Sequence, residues 1–215
     1  MKKKLHMYEM MCIILLLGLF SIIVWKVRSG GVTTVDEYVN MMVKGFQTEA
    51  SLSFFRYFTK LGSTIGIVSV LVVSLFFFWK KRYYVAMVLY PLSIISTNLM
   101  NKLIKSIVKR DRPNINEALD ALGYSFPSGH AMLAIVTYGF LVYIIAANVK
   151  SVVAKCFVTI LAIAVIILIG LSRIILSVHY PTDVLAGYCT GGVLLIITIY
   201  LHRLFSARFQ MNQER

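Results

Sequence analysis

Charge is scarce in this sequence. Only 14% of its 215 residues are Asp, Glu, Lys or Arg, and nine of those are acidic; an ordinary soluble domain carries about 25%. So few carboxylates leave no acidic cluster for a cation, and no His-Glu-x-x-His pair occurs either, so the sequence offers no metal site. Cysteine is scarcer still. Cys12, Cys156 and Cys189 are odd in number and scattered, which excludes a disulfide framework; each lies in an apolar stretch and reads as a buried apolar side chain. Internal repeats and low-complexity tracts are absent. So is a small-x-small cleavage site after the first apolar run, where the chain reads VWKVRSGG, and an uncleaved first helix is expected.

What fills the chain is apolar. Hydrophobic residues make up 59% of it and the mean hydropathy is +0.79, far outside the soluble range. Six apolar runs, at about 8–25, 62–79, 83–104, 129–148, 153–171 and 184–202, each approach the roughly 20 residues that cross a bilayer as helix. Backbone in lipid must satisfy its own hydrogen bonds, so these runs predict helices. The expectation is an all-α polytopic membrane protein with six transmembrane helices, forming one domain over 1–215.

Basic residues then orient the spans. Lys2, Lys3 and Lys4 precede the first, Lys80, Lys81 and Arg82 join the second to the third, Lys150 and Lys155 join the fourth to the fifth, and Arg203, Arg208 and Arg215 follow the sixth. All four groups fall on one side of a six-span array, which the positive-inside rule makes cytoplasmic, together with both termini. The net charge of +13 thus reflects topology rather than nucleic-acid binding, which needs a soluble basic face. On the outer side, the 28–60 segment carries apolar residues at helical spacing. It reads either as an interfacial amphipathic helix or as a folded loop packed on the spans. Lys102, Lys105, Lys109, Arg110 and Arg112 gather on that same side, against the orienting rule, so another requirement must hold them there.

Three polar clusters fall at the outer helix ends. In NKLIKSIVKRDRPN, Lys105 and Arg112 are seven residues apart, able to share a helix face before Pro113 stops regular helix. In PSGH, Pro127 closes a loop, Ser128 is placed as an N-cap, and Gly129 and His130 occupy a first turn whose free N–H groups suit an anion. In SRIILSVHYPTD, Pro181 and Thr182 begin the sixth helix and put Asp183 in its first turn. Asp183 can there fix the tautomer of His179 and leave the other ring nitrogen as a nucleophile. Each cluster alone has an ordinary structural explanation: snorkelling cations, a capped helix start, an interfacial ion pair. Together they supply cations, N–H donors, a nucleophile and an acid at one boundary, an inventory that fits phosphoryl transfer.

Lys105 to Pro113 as K-x6-RP, PSGH at 127–130, and Ser172 to Asp183 as SR-x5-H-x3-D together resemble the tripartite signature of the type 2 phosphatidic acid phosphatase superfamily. The six-span layout extends the likeness over nearly the whole chain. The resemblance implies a small bacterial lipid phosphatase of the cell membrane, with an extracytoplasmic site and no metal or other cofactor. It implies that His179 attacks phosphorus, Asp183 orients it, and His130 protonates the leaving oxygen and later activates water. It also implies that Lys105, Arg112, Ser128, Gly129 and Arg173 hold the phosphate oxygens. Substrates of such bacterial relatives are undecaprenyl pyrophosphate, favoured by an outward-facing site, or phosphatidylglycerophosphate and phosphatidic acid. The expected partners are that lipid phosphate and the surrounding membrane lipids, with no nucleic acid; the oligomeric state is not specified.

Two other classes fit six apolar runs. A transporter or flippase would line the midplane with polar groups, for which Asn98 and Asn101 are the only hint, and interhelical hydrogen bonding accounts for them. A noncatalytic membrane scaffold would tolerate loss of His179.

Overall fold

The computed structural model describes residues 2–113 and 122–213; Arg215 and the middle of the 105–128 segment lie outside the described residues. The described chain is helical with no strand: α1 Lys2–Gly30, α2 Thr34–Lys44, α3 Glu49–Phe58, α4 Thr64–Lys80, α5 Tyr84–Val108, α6 Gly129–Asn148, α7 Val152–Ile175 and α8 Pro181–Gln213, with a 3-10 turn at Thr59–Gly62. Four of these, α1, α6, α7 and α8, are long and apolar enough to cross a bilayer. The pair made by Glu49–Gly62 and Thr64–Lys80, bent by 51°, is a candidate fifth span. The hydropathy reading expects six. Helix α5 has the length of a span at 25 residues, but Pro91, Ser93, Thr97 and Asn101 interrupt its apolar run, and the last three are buried against neighbours. A helix whose polar residues face other helices need not be apolar all round.

Helices α1 and α7 turn large apolar side chains outward, among them Leu15 and Ile160. That exterior also explains a correction. Cys189 is buried as expected, but Cys12 and Cys156 are exposed, because an apolar side chain on a spanning helix has no need to face inward.

The 28–60 segment forms two helices rather than one. Each starts with a capping box, Thr33 with Asp36 and Thr48 with Ser51. Val39, Val43, Leu52 and Phe55 pack on Ile174, Ile175 and Val184 at the adjoining ends of α7 and α8, so the segment is both amphipathic and docked on the spans.

At the centre α6 crosses α8, and glycines let them approach. A Cβ on Gly187 would lie 2.7 Å from the Ser128 carbonyl oxygen and 2.9 Å from Ala131 Cβ; one on Gly191 would meet the Met132 carbonyl oxygen at 2.8 Å and collide with Ile135. One end of the bundle gathers the Tyr83–Asn148 hydrogen bond (2.6 Å), the Tyr143–His202 contact (3.2 Å) and the Arg203–Glu9 ion pair. The other end gathers all three polar clusters. There the Ser128 N–H donates to the Asp183 carbonyl at 2.9 Å, tying the start of α6 to the start of α8.

Because the Gly187 contact is with backbone, Gly187→Val should lower the unfolding midpoint in detergent, by an overpacking cost of about 1–3 kcal/mol. Gly18→Ala, inside α1 and meeting nothing within 4 Å, should not lower it, and the helix propensity gained should raise stability by up to about 1 kcal/mol.

Candidate active site

His179 and Asp183 lie where α7 gives way to α8. Ser177 adopts a left-handed φ of 54°, and the N–H groups of Val178 and His179 both return to the Arg173 carbonyl, at 3.1 and 3.2 Å. The chain thereby reverses in a few residues, and α8 opens on Pro181, whose fixed φ suits a first helical position. Asp183 then falls in the first turn. Its Oδ2 accepts the Tyr180 N–H at 2.9 Å and the Ser125 hydroxyl.

The same oxygen lies 3.4 Å from His179 Nδ1, and Ser125 Oγ lies 3.4 Å from that nitrogen. Acceptors on this side place the ring proton on Nδ1 and leave a lone pair on Nε2. Arg112 Nη1 donates to Nε2 at 3.0 Å, and a guanidinium can only donate, which agrees with that tautomer. Burial pushes the His179 pKa down to about 3, against the opposing pull of Asp183, so the ring is neutral near pH 7. The result is an imidazole with one nitrogen anchored and the other presented to a cation.

Arg112 does not share a helix face with Lys105. Helix α5 ends at Val108, where Lys109 takes a left-handed φ of 52° and its N–H closes on the Lys105 carbonyl at 3.0 Å. That C-cap releases the chain before Pro113 can stop it. Arg112 sits in the following extended stretch, held by the carbonyls of Leu122 (3.2 Å), Gly123 (3.0 Å) and Val178 (2.9 Å). Burial draws its guanidinium below its ordinary pKa, with Asp183 opposing. Lys105, partly buried in the last turn of α5, is within electrostatic reach of Arg112, Asp183 and Arg173.

The PSGH turn is fixed from α5 and α8. Asn101 Nδ2 donates to the Pro127 carbonyl at 3.0 Å, and a Cβ on Gly129 would press on Asn101 Oδ1 at 3.1 Å. Ser128 occupies the N-cap position of α6, but its hydroxyl does not cap the helix. The Oγ is buried with no hydrogen-bond partner among the described residues. The start of α6 thus keeps its first-turn N–H groups and a hydroxyl together, a donor set for an anion. His130, buried, packs against Gly62, where a Cβ would come 3.0 Å from its Cδ2. It is within electrostatic reach of Arg173, His179, Lys105 and Arg112. Arg173, with no exposed surface, donates to Thr59 Oγ1 at 2.8 Å.

The residues of the three polar clusters, Lys105, Arg112, Ser128, Gly129, His130 and Arg173, therefore lie near His179 and Asp183 at one end. The sequence reading passed over several others. Arg110 entered it only as one outer cation, yet its Nη1 holds Asp183 Oδ1 at 2.6 Å and its Nη2 holds Asp36 Oδ2 at 2.6 Å. Thr182 entered it only as a helix start, and Asp36 and Ser125 were not picked out at all. Contacts that span 74 residues leave no trace in local spacing.

A neutral imidazole whose Nε2 lone pair meets Arg112, near Lys105, Arg173 and a hydroxyl unpaired among the described residues, suits attack on a phosphorus centre whose oxygens need compensating charge. The comparisons agree. The PAP2 superfamily matches residues 86–206. Phosphatidylglycerophosphatase B of Bacillus subtilis (strain 168) is 27% identical over 181 residues, which are 83% of this chain and 88% of that protein. The crystal structure of a transmembrane PAP2-type phosphatidylglycerolphosphate phosphatase from Bacillus subtilis superposes with a TM-score of 0.77 at 26% identity, covering 91% of this chain and 96% of that one. This chain is an integral membrane protein that belongs to the PAP2 superfamily, as a lipid phosphate hydrolase.

Proposed function

We propose that the protein hydrolyses the phosphate monoester of phosphatidylglycerophosphate at the extracytoplasmic face, through a phosphohistidine on His179. The observation that carries the chemistry is the disposition of that ring, with Nδ1 toward Asp183 and Ser125, and Nε2 beside Arg112. The substrate rests on the two Bacillus relatives, whose names carry it and which match over most of both chains. Undecaprenyl pyrophosphate, ranked first from the sequence, becomes the second reading; it is favoured by an outward-facing site alone.

In the proposed reaction the entering phosphate draws Arg112 from Nε2 onto its own oxygens. Lys105, Arg173, the Ser128 hydroxyl and the Gly129 N–H take the remaining oxygens. The Nε2 lone pair forms the N–P bond as the P–O bond to the lipid alcohol breaks, and His130 gives the departing oxygen its proton. Asp183 stabilises the cationic ring. Water, deprotonated by His130, then attacks phosphorus, breaks the N–P bond and returns His179 to its starting state. Arginine suits the equatorial oxygens because its planar fork offers paired donors.

The topology we propose is six spans, with α4 and α5 completing the array, both termini cytoplasmic and the whole chain one membrane-embedded domain. Two features support it: the polar clusters share one end of the bundle, and the Lys80–Arg82 turn and the Arg203–Glu9 pair share the other. A transporter reading loses one of its two hints, since Asn101 donates to the Pro127 carbonyl.

Phosphate release by purified protein in detergent, with excess chelator, tests the chemistry. Release should persist in chelator, run fastest with phosphatidylglycerophosphate, and fall at least about a thousandfold in His179→Ala. A faster rate with undecaprenyl pyrophosphate would reverse the substrate order, and full activity in His179→Ala would remove the mechanism.

A second prediction concerns pH. Folded, His179 takes up its proton only near pH 3; unfolded, near 6.5. Between those values the unfolded chain binds the extra proton, so this group makes stability fall as pH drops from about 6.5 toward 3, by at most about 1.4 kcal/mol per pH unit. Denaturation of wild type and His179→Gln across that window should show the shallower dependence in the variant.

A further inference from the structure

We infer that Arg110, held by Asp36, is a positioning residue for the nucleophile. It acts through Asp183, and it ties the outer helix α2 to the reacting centre. The inference rests on His179 and Asp183 working as proposed above.

The geometry is a chain of buried charges. Arg110 is 7% exposed, while Asp36 and Asp183 have no exposed surface. Arg110 Nη1 donates to Asp183 Oδ1 at 2.6 Å and to Thr182 Oγ1 at 2.8 Å; Nη2 donates to Asp36 Oδ2 and to the Gly31 carbonyl, each at 2.6 Å. Its guanidinium carbon stands 4.1 Å from the centre of the Tyr180 ring, which fixes its plane. With Oδ1 of Asp183 taken by Arg110, only Oδ2 is left to face His179 Nδ1, Ser125 and the Tyr180 N–H. The carboxylate cannot rotate without breaking contacts on both oxygens.

Asp36 in turn is surrounded by donors. It accepts from the Thr182 N–H (2.9 Å), the Thr182 hydroxyl (2.8 Å), the Thr33 N–H (3.1 Å), the Thr33 hydroxyl (2.9 Å) and Arg110. An acceptor-only pattern of that kind belongs to an ionised carboxylate.

Two carboxylates and one guanidinium leave a single negative charge beside a neutral imidazole. Phosphorylation of Nε2 makes the ring cationic, and that residual charge then compensates it. Asp36 is what keeps Arg110 from cancelling Asp183 before the ring needs it. Lysine could supply the charge at position 110 but not the fork that reaches from α2 to α8. A pair serving only to hold α2 down would have no reason to close on the one carboxylate that faces the nucleophile.

The test uses full-length protein in detergent, with Arg110→Gln, Arg110→Lys, Asp36→Asn and His179→Ala. The steady-state assay uses phosphatidylglycerophosphate. In parallel, 15N-histidine spectra are recorded with the four histidines assigned by substitution. Arg110→Gln and Asp36→Asn should each lower kcat by about 10- to 100-fold with KM changed less than about threefold, and the double variant should be no worse than Arg110→Gln alone. Their spectra should show His179 leaving the pure Nδ1–H tautomer of wild type. Arg110→Lys should restore folding but not kcat.

A lower melting temperature with kcat and the His179 signals unchanged would overturn the inference and leave Arg110 a structural residue. So would failure of all three single variants to fold, since the cluster would then be required for the fold itself. Activity in His179→Ala would instead overturn the proposed mechanism. An inactive His179→Ala beside fully active Arg110 and Asp36 variants would defeat this inference alone.

Discussion

The close crossing of α6 on α8 is the constraint from which the rest of the site follows. Gly187 and Gly191 present backbone and hydrogen to α6, so the two helices meet at a distance that side chains would forbid. At one end of that contact, the Ser128 N–H reaches the Asp183 carbonyl. One hydrogen bond therefore registers the first turn of α6, with its unpaired serine hydroxyl, against the first turn of α8, with its carboxylate. Widening the crossing would separate the PSGH turn from His179 and Asp183.

Around that contact the structure gathers more charge than a helix end in lipid ordinarily carries. Arg173 is fully buried, as are Asp36 and Asp183, and such groups persist only when paired and hydrogen-bonded. The pairing is graded. Arg110 stands between two carboxylates and carries structure, whereas Arg112 is held by three carbonyls and leans on His179. The first cation has nowhere else to go. The second is bound mainly through neutral acceptors, which in the proposed reaction lets it exchange an imidazole nitrogen for the oxygens of the phosphate. The difference in partners divides the basic cluster into a fixed part and an exchangeable part.

The segment between α1 and α4 shows how an interfacial element is drawn into a site. Its helices start on side-chain caps, and their apolar faces rest on the ends of α7 and α8. Asp36 serves twice, closing the capping box with Thr33 and accepting from Arg110. The 3-10 turn that follows places Thr59 on Arg173 and Gly62 on His130, so the roof of the site is made from residues with no recognisable local pattern of their own.

By itself the sequence determined the helical class, most helix positions and the three polar clusters that meet near His179. Apolar length forces helix in lipid, and Lys105, PSGH and His179 with Asp183 stand at readable offsets from helix ends. It over-read the helix before Arg112, because the left-handed turn at Lys109 has no proline or glycine to announce it. It also expected Ser128 to cap α6, because an N-cap serine usually does. Only the tertiary structure decided which cation supports Asp183 and which faces His179. Arg110 and Arg112 are two residues apart with the same chemistry, and what separates them is Asp36, 74 residues away from Arg110. Long-range pairing of buried charges is set by the packing of α2 on α8, and no local spacing encodes it.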